Sequence, residues 1–376
     1  MGQQLDFNNS YNKGDTLVVG ENGVVVGVPK IVNITESKIT VDNALGNDAT
    51  GAKYDSNLPY KTILQAMSVA TAGDIIHVKT GLYQNDYNIP MKFGVILHLE
   101  KGAIISPIAN GGNVKIFQLV SSSPGIFEVS GKGRILNIGS AHLGTPVIEN
   151  GNSTQIVVDC EEISSVATWN ANASLTVNNA KITSEIYTRF GKLAFNNCVI
   201  IDVKTTTFNV DWGDTGETIY NACTFIRKQA TIPWEVNFPT AVSGQGTQGL
   251  DNYKFGPVMG SGASRRKTIF LNSIFINNVG GNGISFKEGA WDDAGVYNPT
   301  LVISNCKFML SDNTKNCVLA DGSTGVPVSA SFYFDNNVSN GALGTINGGT
   351  LTNKLSGSGF QIAPNYKIFN PFPYLN

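Results

Sequence analysis

Leu175-Thr-Val-Asn178-Asn179-Ala180 and Leu193-Ala-Phe-Asn196-Asn197-Cys198 are two copies of one pattern. Each opens on apolar or β-branched residues, reaches Asn, and ends on a small side chain. The same pattern stands at Ile156-Val-Val-Asp159-Cys160, Ile219-Tyr-Asn221-Ala222-Cys223 and Ile269-Phe-Leu-Asn272-Ser273. It returns at Leu301-Val-Ile-Ser304-Asn305-Cys306 and Phe332-Tyr-Phe-Asp335-Asn336-Asn337. With positions 159, 178, 196, 221, 272, 304 and 335 taken as equivalent, the successive spacings are 19, 18, 25, 51, 32 and 31. The short intervals suit one turn of a solenoid and 51 suits two.

The physical reading follows from strand geometry. A short strand sends alternate side chains to opposite faces and alone buries too little apolar surface to be stable. Stacking on equivalent strands above and below completes the burial. Asn at a recurring corner tolerates positive φ and can hydrogen-bond along the stack, while the small Cys or Ala beside it packs onto its counterpart. The expected fold class is therefore all-β, a solenoid of stacked parallel strands.

Composition agrees. Gly and Asn each occur 41 times among 376 residues, and charged residues make up only 14%, against about 25% in ordinary domains. Frequent tight corners and a large uncharged interior are implied. The 26 basic and 28 acidic residues give a net charge of −2, so no field draws the chain to nucleic acid or anionic lipid. No apolar run is long enough to span a membrane, and the start MGQQLDFNNS has no signal-peptide pattern. We expect no nucleic-acid partner and no membrane insertion.

Cys160, Cys198, Cys223, Cys306 and Cys317 are odd in number and form no CxxC pair, which argues for reduced buried thiols over disulfides or zinc. Four of them fall at the recurring corner. His77, His98 and His142 are too dispersed for a metal cluster, and the first two sit inside apolar strands, where satisfied structural histidines are expected. No metal and no cofactor are expected.

Upstream, Pro59 to Ala70 places Ile63, Met67 and Ala70 on one helical face, with Pro59 near the start and Gly73 beyond the end. Strand-like segments follow at 74–78, 81–83, 95–99, 103–105 and 116–119. A short helix over the first turn would cover a sheet end that could otherwise pair with other chains. Before it, Gly14 to Gly27 reads as a hairpin around Glu21-Asn-Gly.

The sequence Val41-Asp42…Gly46-Asn47-Asp48-Ala49…Pro59-Tyr60-Lys61-Thr62-Ile63…Ala66…Ala70…Gly73-Asp74…Val78…Gly81…Tyr83 resembles the opening of pectate-lyase-like β-helix proteins. The resemblance implies a right-handed parallel β-helix with a short N-terminal capping helix over residues 38–340. A small β module ahead of such a helix resembles the virion-attachment segment of bacteriophage tailspikes and fibres, here residues 1–37. Residues 341–376, ending in Tyr366-Lys-Ile-Phe-Asn-Pro-Phe-Pro-Tyr374, read as a C-terminal cap or subunit contact.

Several motifs were weighed for chemistry. Gly244, Gly246 and Gly249 form a literal GxGxxG without the helix a nucleotide fold requires. Gly125 to Gly133 lacks the spacing of a phosphate loop and reads as a turn between strands. Ser264-Arg-Arg-Lys267 reads as a solvated basic loop. A polysaccharide-cleaving site needs paired carboxylates or a basic proton acceptor. The candidates are Asp211 and Asp214 beside Trp212, and Asp292 and Asp293 beside Trp291, with Trp234 as a further sugar-stacking surface. The Gly-His-Gly, Asn-x-Asp and Arg-x-Lys patterns of polygalacturonases are not found, nor is a clear match to the basic residues of pectate lyases, so the resemblance carries a fold and no catalytic residue.

The resulting expectation is a bacteriophage structural protein, a head or tail fibre or tailspike-like appendage of the virion. It would be a homotrimer, joined to other virion proteins by its N-terminal segment and meeting a host-surface polysaccharide. A polysaccharide depolymerase, hydrolase or lyase, is the alternative, and a carbohydrate-binding adhesin without chemistry is the second.

Overall fold

The computed structural model describes residues 16–19, 25–28, 38–107, 116–119, 125–136, 149–150, 154–168, 174–188, 192–201, 204–208, 217–228, 253–255, 257–258, 267–280, 283–286, 300–320, 331–346 and 349–350. An antiparallel hairpin, β1 (Thr16–Val19) and β2 (Val25–Val28), comes first. The opening turn is β3 (Lys38–Val41) and the helix α1 (Ile63–Val69).

From there the chain repeats a three-sided circuit. The next circuits are β4 (Ile75–Val78), β5 (Gly81–Tyr83), β6 (Ile89–Met91); β7 (Ile96–Leu99), β8 (Ala103–Ile105), β9 (Phe117–Leu119); and β10 (Gly125–Gly131), β11 (Arg134–Ile135), β12 (Glu149–Asn150). Two circuits then merge two sides into one long strand: β13 (Thr154–Asp159) with β14 (Glu162–Thr168), and β15 (Ser174–Asn178) with β16 (Lys181–Thr188). There follow β17 (Lys192–Asn196), β18 (Val199–Ile201), β19 (Lys204–Phe208), then β20 (Glu217–Asn221), β21 (Thr224–Arg227), β22 (Tyr253–Phe255) and β23 (Pro257–Val258). The last circuits are β24 (Lys267–Leu271), β25 (Ile274–Asn277), β26 (Ile284–Phe286); β27 (Thr300–Ser304), β28 (Lys307–Leu310), β29 (Asn316–Ala320); and β30 (Ser331–Asp335), β31 (Val338–Ser339), β32 (Ala342–Ile346). β33 (Gly349–Thr350) folds back antiparallel on β32.

The first strands of the circuits stack in parallel as an 11-stranded sheet from β3 to β30, called sheet 1. The second strands stack as sheet 2, from β5 to β31. The third side is built from the β6–β9 pair, the outer halves of β14 and β16 with β19 and β23, and the sheet from β22 to β32. Parallel crossovers of this kind are right-handed, and the molecule is a right-handed parallel β-helix. At about 4.8 Å per rung, sheet 1 is about 48 Å long.

In-register pairing makes columns of the alternate, inward residues. On sheet 1, Ile39, Ile76, Leu97, Val129, Val158, Val177, Phe195, Tyr220, Phe270, Ile303 and Phe334 lie on one another, all buried. On sheet 2 the matching column runs Tyr83, Ile105, Ile135, Ile163, Ile182, Ile200, Phe225, Phe275, Phe308. Two aromatic ladders result. Phe195, Tyr220 and Phe270 stack at 5.0 Å between successive centroids, and Phe225, Phe275 and Phe308 at 4.6 and 4.8 Å. The ladders meet edge to face, Tyr220 on Phe225 at 5.1 Å, the offset geometry that ring quadrupoles favour.

The corner after sheet 1 is built as its asparagines suggest. Asn179, Asn197, Ala222, Asn272, Asn305 and Asn336 all have φ between 50 and 57°, the left-handed region that Asn tolerates best after Gly. All but Asn336, on the last of these rungs, donate their backbone N–H to the strand end of the next rung, as in Asn179 to Asn196 O at 2.9 Å and Asn305 to Asp335 O at 3.1 Å. The amides link as well: Asn197 Nδ2 donates to Asn179 Oδ1, and Asn179 Nδ2 to Asp159 Oδ2, both at 3.0 Å. Behind them Cys160, Ala180, Cys198, Cys223, Ser273, Cys306 and Asn337 form a buried stack, and all five cysteines are free thiols.

Three sequence readings need correction. The rung partner of Asn221 and Ser304 is Leu271, not Asn272; Asn272 occupies the left-handed position that Ala222 fills one rung earlier. The interval of 51 is not two turns, because β20 pairs directly with β24. The chain instead makes one long excursion after Arg227, laying down β22 and β23 on the way. Gly125 to Gly131 is a central strand of sheet 1, since Phe127 and Val129 alternate inward; only the corner beyond it turns. That corner is at Gly131, with φ 106° and an added Cβ only 2.1 Å from Leu99 O.

The helix starts at Ile63 because Tyr60 is held by β3 in extended backbone: its N–H donates to Thr40 O, and Asp42 N–H to Tyr60 O. Thr62 is the N-cap, its Oγ1 accepting from Gln65 N at 3.1 Å. Asp48 holds Thr62 by accepting from its N–H and hydroxyl, and Asp86 accepts from Leu64 N at 2.9 Å. Ile63, Ala66 and Met67 are buried, and α1 packs on β6, β3 and β4. Pro90 is tolerated in β6 because that strand is a sheet edge facing the helix.

Ala222 is the one Ala among these Asn corners, and left-handed backbone costs an alanine about 1 kcal/mol. Ala222→Asn should raise stability by about that amount in chemical denaturation; an unchanged or lower midpoint would refute the strain. Phe270→Ala, at the end of one ladder and edge to face with Phe225 and Phe275 of the other, should lose about 3–5 kcal/mol in chemical denaturation.

Candidate functional site

Asp211, Trp212, Asp214, Trp234, Trp291, Asp292 and Asp293 lie outside the described residues, as do His142, the GxGxxG glycines and Ser264 to Arg266. The strands that flank them are described. Residues 209–216 connect β19 to β20, and residues 287–299 connect β26 to β27. Both connections run from the third side into sheet 1, and their re-entry strands are separated by the single strand β24, hence by about 10 Å. The long excursion re-enters at the same corner, into β24.

Among the described residues, chemistry-bearing side chains gather on the outer face of sheet 1 near its N-terminal end. His77 and His98 are rung partners, with ring centroids 5.4 Å apart. They alternate with Ile76, Val78, Leu97 and Leu99, which point inward. Their place inside apolar strands predicts satisfied structural histidines. The period of two puts both rings on the outer face, half-buried against neighbouring rungs.

His77 Nε2 lies 2.9 Å from Glu100 Oε1, which also takes Lys79 Nζ at 2.8 Å; Glu100 Oε2 accepts from Thr80 N at 3.2 Å. Burial works against the Glu100 charge, but Lys79, the Thr80 N–H and His77 together hold its carboxyl below the usual range. A carboxylate only accepts, so Nε2 carries the imidazole proton and Nδ1 keeps a lone pair. Nδ1 is buried and has no hydrogen-bond partner, contrary to the expected satisfied histidine. Burial, and next the Lys38 charge, push the His77 pKa down to about 4; the ring is neutral at pH 7.

On the next rung His98 Nδ1 lies 3.1 Å from Ser130 Oγ. Glu128 is outward on the same strand, and burial, with the nearby Asp159 charge, raises its pKa. The patch thus offers a hydroxyl, two imidazole edges and carboxylates across four rungs, a surface that can hydrogen-bond a neutral polyol. No group of three or more metal-ligating side chains with metal-binding geometry occurs among the described residues. This patch was missed because its members are far apart in sequence, and only rung pairing joins them.

No protein-family model and no curated protein matches the chain. Among solved structures it is similar to the Yersinia enterocolitica family 28 exopolygalacturonase, with 10% identity and a TM-score of 0.30 over 83% of this chain and 79% of that chain. So loose a likeness carries neither a residue nor an activity across.

His77 gives the fold a pH dependence of known sign. The unfolded imidazole takes up its proton near 6.5 and the folded one only near 4, so stability is full above pH 6.5 and falls between 6.5 and 4. Asp86 opposes it: burial raises its pKa to about 6, so its contribution grows as pH falls through that value. Denaturation midpoints of His77→Gln should fall less than wild type between pH 6.5 and 4; an identical slope would refute the assignment.

Proposed function

We propose that the chain is a shaft-forming structural protein of a bacteriophage virion, a head or tail fibre or tailspike-like appendage that assembles as a homotrimer and contacts the host surface. The observation that carries this reading is the sequence of parts. A separate antiparallel hairpin precedes a helix-capped solenoid whose rungs stay in register from β3 to β30. A rod about 48 Å long with its N-terminal edge covered suits a projecting spacer. Residues 1–37 would join other virion proteins, and residues 341–376 would close the shaft or contact a neighbouring subunit. Antibodies against the purified chain should decorate one appendage on intact particles of a phage that encodes it. Light scattering should give the mass of three chains. Undecorated particles or a monodisperse monomer would overturn the proposal.

A depolymerase is the second reading, favoured by the shared corner at which both Asp–Trp connections enter sheet 1. Carboxylates of glycosidases act as pairs roughly 5 to 9.5 Å apart, within what re-entry points about 10 Å apart can present. On a panel of capsular polysaccharides this reading expects release of reducing ends or unsaturated uronate. Asp211→Asn, Asp214→Asn, Asp292→Asn or Asp293→Asn should cut the release by about a hundredfold or more. Binding without release would instead mark an adhesin using Trp212, Trp234 and Trp291.

A further inference from the structure

The two ends of the solenoid are finished differently. At the first rung α1 packs on β3, and Ile39 and Val41 are fully buried. At the other end β30 and β31 are the last strands of sheets 1 and 2, and among the described residues no strand lies beyond them. The third side alone is closed there, by β33 folding back on β32. A free strand edge is a template for any backbone that can pair with it.

Two observations on the final rung of sheet 1 point to an occupant. Phe334, in the inner column, is only 3% exposed, although its one rung neighbour among the described residues is Ile303. The end of the core is therefore not open to water. Asn336 has the left-handed backbone of the earlier corners, with φ 50°. From Asn179 to Asn305, each corner N–H is taken by the carbonyl that ends the next strand; for Asn336 the described residues hold no such carbonyl.

The chain carries a match for that vacancy in its last residues. Ile368-Phe369-Asn370 repeats Ile219-Tyr220-Asn221 and Ala194-Phe195-Asn196, which end two strands of sheet 1 just before a left-handed corner. The strand ends Leu271, Ser304 and Asp335 are spaced by 33 and 31, and Asn370 follows Asp335 by 35. Residues 351–365 would carry the chain from the third side back to sheet 1, as 287–299 and 321–330 do on the two preceding circuits.

Two further residues mark this strand as the last. Pro371 stands where each corner residue takes positive φ, and its ring fixes φ near about −65°, so no further corner can follow. Lys367 falls in the inner column of Leu193 and Thr218. A charge is tolerated there only on a terminal rung, from which the lysine stem can carry its ammonium out to water.

We propose that residues 366–370 form the closing strand of sheet 1, parallel to β30, with Phe369 on Phe334 and the Asn370 carbonyl accepting from Asn336 N–H. This goes beyond the virion reading and does not rest on it. It assigns the C-terminal segment to the last rung of its own chain, and it shuts that end of the shaft to the strand of a neighbour.

Hydrogen exchange of the full chain, read by mass spectrometry, tests the assignment. In wild type, the amides of residues 366–370 should exchange about a hundredfold more slowly than those of an unstructured peptide of the same sequence, at every protein concentration. Ile368→Pro removes an N–H that faces β30 in this register. It should abolish the protection of residues 366–370 and speed exchange in β30 about tenfold, while β7 and β10 stay as protected as before. Exchange of residues 366–370 at the unstructured rate in wild type overturns the proposal. Protection that disappears on dilution also overturns it, because the edge would then belong to a strand of a second copy. An unchanged β30 in Ile368→Pro, beside unprotected residues 366–370, overturns the pairing with β30.

Discussion

The structure depends on one constraint: parallel backbone pairing in register puts each residue on its equivalent one rung away. A side chain then meets its own kind twice, above and below. Aromatic rings find ring faces at 5.0 Å in the Phe195–Tyr220–Phe270 ladder, amides find amides at the corner, and thiols share a column with serine and alanine of similar volume. None of these contacts would be strong alone. Repetition makes them additive, and the same repetition forbids a charge in an inner column unless its neighbours can answer it.

Repetition also creates an end, and the sequence departs from the pattern where the end lies. α1 replaces a strand on the third side of the first turn, and carboxylates hold it there. Asp48 grips the N-cap threonine. Asp74 gathers Lys53 at 2.8 Å, the Tyr54 hydroxyl at 2.7 Å and the Thr71 N–H at 2.6 Å. Lys92 donates to Ser68 O and Ala70 O, satisfying carbonyls that a helix C-terminus leaves unpaired. The exterior obeys a looser rule, in which only the alternate residues matter and neighbouring rungs can differ in charge.

How much could be read from the chain follows from this. The corners were legible because Asn, a small residue and an apolar run recur together. Asn272 stands one place beyond the strand end because Ala222 takes a left-handed position with no sequence mark of it, so the visible asparagines fall out of step. The long interval looked like two turns because length alone does not separate two rungs from one rung with an excursion. The β3-to-α1 region was legible by its Pro, Thr and apolar spacing, although the helix is shorter than the periodicity suggested. The outer-face patch was not legible. His77, His98, Glu100 and Ser130 adjoin only through register, which residue order alone does not state. The acid–aromatic segments were visible in the sequence by residue type, but their common corner emerged only from the order of the strands.

That common corner has an evolutionary reading. In a stack where each rung touches only the rungs beside it, a connection between the third side and sheet 1 can lengthen without disturbing any inner column. Each doubling of a loop adds only about 0.6 kcal/mol of closure entropy. Residues 209–216, 259–266 and 287–299 make this connection on three neighbouring rungs, the third of them longer than the others, and β20, β24 and β27 still pair in register. A lineage could therefore exchange one connection for another, and with it the surface shown to a changing environment, while inheriting the core intact: variation is confined to a margin that the scaffold does not read.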